Sequence, residues 1–539
     1  MLSASTSSWP VLLVDGSSIR GRYARTYPFV VLAAAFAVHG VWLRQPLLEN
    51  YIDRQVHTAM MARNLSRGGS LLYPSIDIGP FPAYYMLEFP LYPWLAGKVA
   101  AVTGLPLDSA GRLLSAFAMG AACAFLFDLV RRRDGGRVAW AAAAVLAVMP
   151  VTMRYGRAFQ PDSLMIAALV AAVWSMDRWS KHGRPLDLTL AAAATCATLL
   201  LKVIAAYLLI PLLYLAWSRC GLRFWRRWEL WLAAAAAAAP AVAWYLHAWH
   251  VAASSETVST PFWQVHKWIA LDRLMDANTH RQLVFYVGLR VLTPIGVSLA
   301  IVGALLRAAP NDSSSAPRDG SMLFHVWLGS LLAYGPILVR KLDHEHYYLA
   351  IAPVAAVFMA RSLAALWESP LARRFYVSGS WAAAILGLLL LASDCLACRS
   401  TFRDPAEWRH VTTTAAAVRD CTPPGALVAA HSSVLFYADR RGFTVAYNRD
   451  EIEYLLGTWG ERDIAPIPEN LLEFYRRRGA EYFVELLGTN RELDNAAFFE
   501  TVRGRYRIVR EVPGKFLIVS LHEPQELADS SRQQPRNGF

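Results

Sequence analysis

Charge is what this chain has least of. Only 17% of its 539 residues are Asp, Glu, Lys or Arg, where a soluble domain carries roughly 25%. That scarcity excludes a string of water-soluble domains, which a chain of this length would otherwise suggest. The 55% hydrophobic share and the mean hydropathy of +0.29 agree. Acidic residues are fewer than basic ones, 41 against 53, for a net charge of +12. The Lys and Arg residues fall in short segments between apolar runs, the positive-inside pattern of membrane proteins. They form no single basic patch, so no nucleic-acid partner is expected. Cysteine is also sparse: Cys123, Cys196, Cys220, Cys395, Cys398 and Cys421. This set is too few and too scattered for a zinc motif. Cys123 and Cys196 lie within apolar runs and read as small fillers, while a disulfide involving Cys398 or Cys421 stays open. No internal repeat of the transporter kind is visible. No small-residue cleavage site precedes the first apolar run, so that run is expected to serve as an uncleaved anchor.

What the chain has instead is apolar runs. They occupy roughly 27–42, 109–130, 137–152, 163–177, 187–201, 203–218, 229–249, 284–306, 322–339, 347–366 and 376–396, which predicts about eleven spans of near-membrane length. Arg20, Arg22 and Arg25 precede the first. Basic residues recur after every second run, at Arg131–Arg133, at Arg178 and Lys181, at Arg223 and Arg226, at Arg307, and at Arg373. The expected topology has residues 1–26 in the cytoplasm, a transmembrane module over 27–400 and the C-terminus outside, in a bacterial inner membrane. Leu186 to Trp217 is one apolar stretch too long for a single span. Its basic flanks make it a hairpin with Lys202 at the outer tip.

The outer loops are unusual. Residues 44–108 make a connection of about 65 residues, far longer than joining two spans requires. It holds Asp53, a helix-like stretch Val56–Leu65, a Gly68-Gly69 turn, Asp77, and an interfacial aromatic run from Phe81 to Trp94. The loop Arg340-Lys341-Leu342-Asp343-His344-Glu345-His346 is dense in polar groups. From 401 the apolar runs shorten. Residues 401–522 read as an α/β domain, with a helix over Pro405–Asp420 and strands at Ala426–Ala430, Tyr482–Leu486, Arg505–Arg510 and Phe516–Leu521. The tail, 523–539, is polar and expected to be disordered.

The stretch Asp53-Arg54-Gln55-Val56-His57 followed by Ala62-Arg63-Asn64-Leu65 resembles the first outer loop of the polyprenyl-phosphate-sugar-dependent glycosyltransferases of GT-C fold. These include the protein O-mannosyltransferases, aminoarabinose transferases and rhizobial lipopolysaccharide glycosyltransferases. The resemblance extends to Glu88-Phe89-Pro90-Leu91-Tyr92, Arg112-Leu113-Leu114-Ser115, Tyr155-Gly156-Arg157-Ala158-Phe159 and Pro161-Asp162, and covers roughly 25–400. It implies transfer of a sugar, with inversion, from a polyprenyl-phosphate donor to a lipid, glycan or protein acceptor at the outer face. It implies no cofactor. One departure stands out: many members have Asp-Glu where this chain has Asp53-Arg54.

A hydroxyl nucleophile needs a positioned carboxylate to take its proton, and a departing phosphate needs positive charge. Asp53 is the leading candidate for the base, Asp77 the second, and Asp162 a further site acid. Each also reads as a solvated loop acid or a helix cap. Lys202 leads for the donor phosphate, because a Lys amid apolar residues is costly without a partner. Arg340, Lys341, His344, His346 and Arg63 follow. His344 and His346 are spaced i, i+2, which does not place both rings on one helix face, so no metal site is assigned. Two other readings fit a polytopic chain: a transporter or flippase of a lipid-linked saccharide, and a non-catalytic envelope assembly protein.

Overall fold

The computed structural model describes residues 26–254, 257–259, 271–306, 322–335, 344–369, 378–403 and 405–524. Arg340 and Lys341, proposed above for the phosphate, lie outside these residues, as does the tail from 525. Each of the eleven apolar runs contains a helix. Among the described residues, five helical stretches are long and apolar enough to cross a membrane, or six if the pair Ala277–Val291 and Thr293–Leu305, bent by 99°, counts as one. Tyr27–His39, Gly136–Val148, Pro185–Leu201 and Leu323–Ala333 are apolar but shorter.

The hairpin stretch does break at Lys202, the one charge in its middle. Helix Pro185–Leu201 ends at Lys202, whose backbone is extended (φ −159°, ψ 112°), and a 3-10 turn Val203–Leu208 leads into helix Leu209–Cys220. Tyr245 supports the break, its hydroxyl donating to the Leu199 carbonyl at 3.3 Å and accepting from the Val203 amide at 3.2 Å. Backbone groups freed at a helix end need such partners.

The long first loop is ordered. Helix Ile52–Ser66 begins directly after Asn50 and Tyr51, both at positive φ (39° and 54°), a conformation that costs energy for residues with a Cβ. Gly68, at φ +98°, takes the turn after the helix, as glycine can at little cost. The aromatic run then forms a two-residue strand β1 (Tyr84–Tyr85), paired in parallel with β2 (Thr257–Ser259), and a helix Leu91–Thr103.

The C-terminal part carries a five-stranded sheet of β3 (Leu427–Ala429), β4 (Arg441–Phe443), β5 (Tyr482–Leu486), β6 (Tyr506–Val512) and β7 (Phe516–Pro524), in the order β4-β3-β5-β7-β6. The first three are parallel and the last two antiparallel. Four of the five match the strands expected from the sequence; the short β4 was not foreseen. The sheet's two faces bury different cores. Phe443, Tyr475, Phe483, Phe499 and Leu517 belong to a core local to this region. Val411, Val428, Leu435, Val484 and Ile518 belong to the core that runs through the apolar helices. The expected helix Pro405–Asp420 is a 3-10 turn, Ala406–Trp408, followed by helix Val411–Cys421.

Candidate active site

Helix Ile52–Ser66 is held from three directions. Gln55, fully buried, accepts from the Phe159 amide at 2.9 Å and donates to the Glu49 carbonyl at 2.6 Å. Behind it, the buried Arg112 grips Glu49 with both terminal nitrogens, at 2.5 and 2.7 Å, and donates to the Gln45 and Pro46 carbonyls. Such bidentate pairs add geometric specificity to charge. Arg157 reaches the Trp42 carbonyl at 2.6 Å. The segments Arg112–Ser115 and Tyr155–Phe159 thus anchor the loop. At the other end of the helix, Arg63 donates to Asp77 at 2.7 Å and to the Phe436 carbonyl at 2.7 Å, and pairs with Asp439 at 3.1 Å. Asn64 adds a bond to Asp77 at 3.3 Å. Asp77 is buried within this pair, and the Arg63 side chain joins the loop to the C-terminal region.

Asp53 differs from the buried acids Glu49 and Asp77. It stands in the first turn of the helix with a side chain 58% exposed. Its Oδ1 accepts from the Ser432 hydroxyl at 2.5 Å and lies 3.6 Å from His431 Nε2. Burial alone would raise its pKa. His431, His57 and the Ser432 hydroxyl outweigh that effect and hold the carboxyl below its ordinary value. His431 is itself buried, which pushes its pKa down to about 4, so it is neutral at physiological pH. Its Nδ1 accepts from the Ser433 amide at 3.3 Å. That contact assigns the ring proton to Nε2, on the side of Asp53.

Next to Asp53, Arg54 turns the other way and pairs with Glu88 at 2.6 Å. Burial of Glu88 opposes ionisation, but Arg54 and then Lys202 draw its pKa below the usual carboxylate value. The Phe89 amide donates to the Leu200 carbonyl at 3.0 Å, which ties this strip to the Lys202 break. Lys202 pairs with Asp162 at 2.7 Å, both buried, and lies 4.8 Å from the centre of the Tyr347 ring. The second oxygen of Asp162 has no partner among the described residues. Lys202, Asp162 and Tyr347 line one narrow recess with Tyr207. The carboxylate that the sequence comparison expects after Asp53 is therefore absent from the helix, and a carboxylate from residue 88 stands beside Arg54 instead.

His344 and His346 flank Tyr51. The Tyr51 hydroxyl lies 2.8 Å from His344 Nε2, and its ring centre is 4.9 and 5.2 Å from the two imidazoles. Glu345 between them pairs with Arg154 at 3.2 Å and with Arg290, so the His-Glu-His triplet is anchored through its middle residue. Among the described residues no group of three or more His, Cys, Asp or Glu could hold a metal ion.

The arrangement thus groups Asp162, Lys202, His344 and His346 around Tyr347, while Asp53 meets Ser432 and His431. It places Asp77 and Arg63 at the helix's far end, in a pair with each other. Four further residues join the site: Arg54, Glu88, His431 and Ser432. An acid within an aromatic, Pro-broken run was a signal for Glu88. Nothing local marks Ser432, which lies in an ordinary helix start.

Residues 88–291 match the family described as dolichyl-phosphate-mannose-protein mannosyltransferase. No curated protein sequence matches. The chain superposes on ArnT from Cupriavidus metallidurans bound to undecaprenyl phosphate with a TM-score of 0.60 at 15% identity, over 92% of this chain and 98% of that one. It superposes on the oligosaccharyltransferase AglB from Archaeoglobus fulgidus, in complex with an inhibitory peptide and a dolichol-phosphate, with a TM-score of 0.58 at 12% identity, over 90% and 73%. For the mycobacterial arabinofuranosyltransferase AftD the values are 0.58 and 15%, over 92% and 40%. The fold of this chain is the GT-C fold of membrane glycosyltransferases, and its matched segment carries the sequence pattern of the mannosyltransferase family.

Proposed function

We propose that this chain is an inverting, integral-membrane glycosyltransferase with Asp53 as general base. It moves a sugar from a polyprenyl-phosphate carrier to a hydroxyl-bearing lipid, glycan or protein at the outer face of a bacterial inner membrane. One observation carries the reading: the exposed carboxylate of Asp53 and the guanidinium of Arg54 are neighbours on one helix, Asp53 held by Ser432 and His431 and Arg54 paired with Glu88, whose ionised form Lys202 also favours.

The chemistry follows from that layout. The acceptor oxygen attacks C1 of the sugar from the face opposite the phosphate. The C1–O bond to the carrier breaks, its electron pair leaves with the lipid phosphate, and the hydroxyl proton passes to Asp53. A single displacement of this kind inverts C1. A carboxyl held below its ordinary pKa is a weak base toward a free hydroxyl. It becomes competent as the new C–O bond forms and the hydroxyl proton turns acidic. Lys202, with His344 and His346 nearby, offers donors for the phosphate as its charge grows. Asp77 supports the proposal less well, since Arg63 and Asn64 already occupy its oxygens. Outward placement of residues 401–522 and about eleven crossings belong to the same reading.

The test is a deletion strain whose envelope glycolipids, glycans and glycoproteins are compared by mass spectrometry. One glycosylated species is expected to vanish, to return with the intact chain, and to stay absent with Asp53→Asn at equal protein level. Full restoration by Asp53→Asn overturns the base assignment. Movement of a lipid-linked sugar across proteoliposomes with no transfer to any acceptor overturns the enzyme reading in favour of a flippase.

A further inference from the structure

The base helix and the C-terminal sheet region are separated by several hundred residues, yet they meet at Asp53. Both contacts from the C-terminal side fall on one oxygen. Ser432 Oγ donates to Oδ1 at 2.5 Å, and His431 Nε2 faces the same atom at 3.6 Å. Oδ2 has no contact of this kind among the described residues. Ser432 and His431 are both buried, while the carboxylate they address is largely exposed.

The two donors are themselves held. The Ser433 amide and hydroxyl meet His431 Nδ1 at 3.3 and 2.8 Å. Trp408 packs on the imidazole, ring centres 4.3 Å apart. Arg491 lies over Trp408 at 4.7 Å and pairs with Glu407 at 3.2 Å. The junction around them is stitched by backbone. The Gly79 amide donates to the Gly442 carbonyl, and the Gly442 amide to the Asp77 carbonyl, each at 2.9 Å. Arg67 adds a two-pronged contact to Asp439, at 2.9 and 2.7 Å. A carboxylate on an exposed helix start would otherwise sample several rotamers.

We propose that the C-terminal region completes the reactive centre, with Ser432 and His431 as positioning residues that clamp Oδ1 of Asp53 and present Oδ2 to the incoming hydroxyl. This rests on the general-base reading of Asp53, and it adds a division of labour within one carboxylate. Catalytic geometry is demanding, and a misplacement near 1 Å costs about 100-fold. The charged and titratable groups facing Asp53 include Tyr51 just before its helix, His57 on the helix itself, and His431 and Arg491 from the C-terminal region.

The experiment uses the full chain in detergent and needs no substrate. A water-soluble carbodiimide with an amine label modifies protonated carboxyls, and the extent at Asp53 is read by peptide mass spectrometry across pH. Removing a hydrogen-bond donor from the carboxylate raises its pKa. Ser432→Ala is therefore expected to move the Asp53 labelling curve to higher pH, and Ser432→Thr, which keeps the hydroxyl, to return it toward that of the unaltered chain. His431→Gln is expected to shift it in the same upward direction. In the deletion strain, Ser432→Ala is expected to lower restored glycan roughly tenfold, with Ser432→Thr intermediate. A labelling curve unmoved by both Ser432→Ala and His431→Gln overturns the clamp, whatever Asp53→Asn does in cells. A shifted curve alongside full activity of Asp53→Asn leaves the clamp standing and removes the base.

Discussion

Two clusters of charge sit in this protein, and they are built on opposite plans. At one end of the helices, Asp128 meets Arg131 and Arg132 at 2.7 and 2.5 Å and accepts from Trp174 at 2.8 Å. Asp177, wholly buried, meets Arg132, Arg133 and Lys181. Arg361 closes on Asp134 at 3.0 Å. Cations outnumber acids there, and each acid is enclosed. At the other end Arg54 pairs with Glu88 and Lys202 with Asp162, while Asp53 stands exposed with no Lys or Arg in contact among the described residues. The first plan satisfies helix ends and marks orientation. The second leaves functional groups beside an opening. Buried charge alone does not separate a site from a scaffold; the exposure of one acid does.

The comparison can be broken or sharpened by substitution. The largest effect is expected from Asp53→Asn, which should reduce transfer by at least about 100-fold with thermal stability nearly unchanged. Asp177→Asn, at the other cluster, should reverse that pattern, lowering thermal stability while the surviving protein keeps its activity. Equal loss of transfer in the two would erase the distinction.

Next in size is Lys202→Met. It strands Asp162 and should destabilise the fold by about 3–5 kcal/mol, as breaking a buried pair does. Adding Asp162→Leu should recover most of that stability without restoring transfer. If the double variant is active, the pair is scaffold only.

The exchange Arg54→Glu with Glu88→Arg is a finer probe. It preserves a salt bridge and should preserve stability to within about 1 kcal/mol, but it moves positive charge away from the base helix. Transfer measured against donor concentration should show a raised KM. An unchanged KM would make the pair structural.

A pH series gives a smaller signal. Asp53 has a lowered folded-state pKa, so its ionised form, and the stability that form contributes, are present above the unfolded value and lost only as pH falls through the folded one. The acid limb of transfer should lie below about pH 4, the ordinary carboxylate value. Smallest of all is Arg137→Ala. Its partner Glu368 is as exposed as Arg137 itself, and no measurable change in melting or transfer is expected.

The helices were legible because apolar period and basic punctuation are local signals. The break at Lys202 was legible for the same reason: a charge in mid-run must reach water or a partner. Asp53 could be singled out by its place just after the first apolar run. What lay beyond reading were the partners. Arg63 stands in the sequence as a candidate for the donor phosphate, yet it closes on Asp77 through a turn that no periodicity announces. Glu345 looked like the centre of a His-Glu-His triplet, yet it is fastened to Arg154 and Arg290 from two distant helices. Ser432 and His431 meet Asp53 only because β4 passes beside the first loop. β4 itself escaped notice because Arg441-Gly442-Phe443 is too short to show alternation.

That bridge between Ile78 and Gly442 also sets an order of assembly. Helix Ile52–Ser66 belongs to an early segment, and Ser432 and His431, which meet its Asp53, follow several hundred residues later. Until the last sheet folds against that early segment, the carboxylate has its charge but lacks its orientation. A growing chain would thus carry the parts of its reaction long before it could perform it, with the outer edge of β4 acting as the final latch.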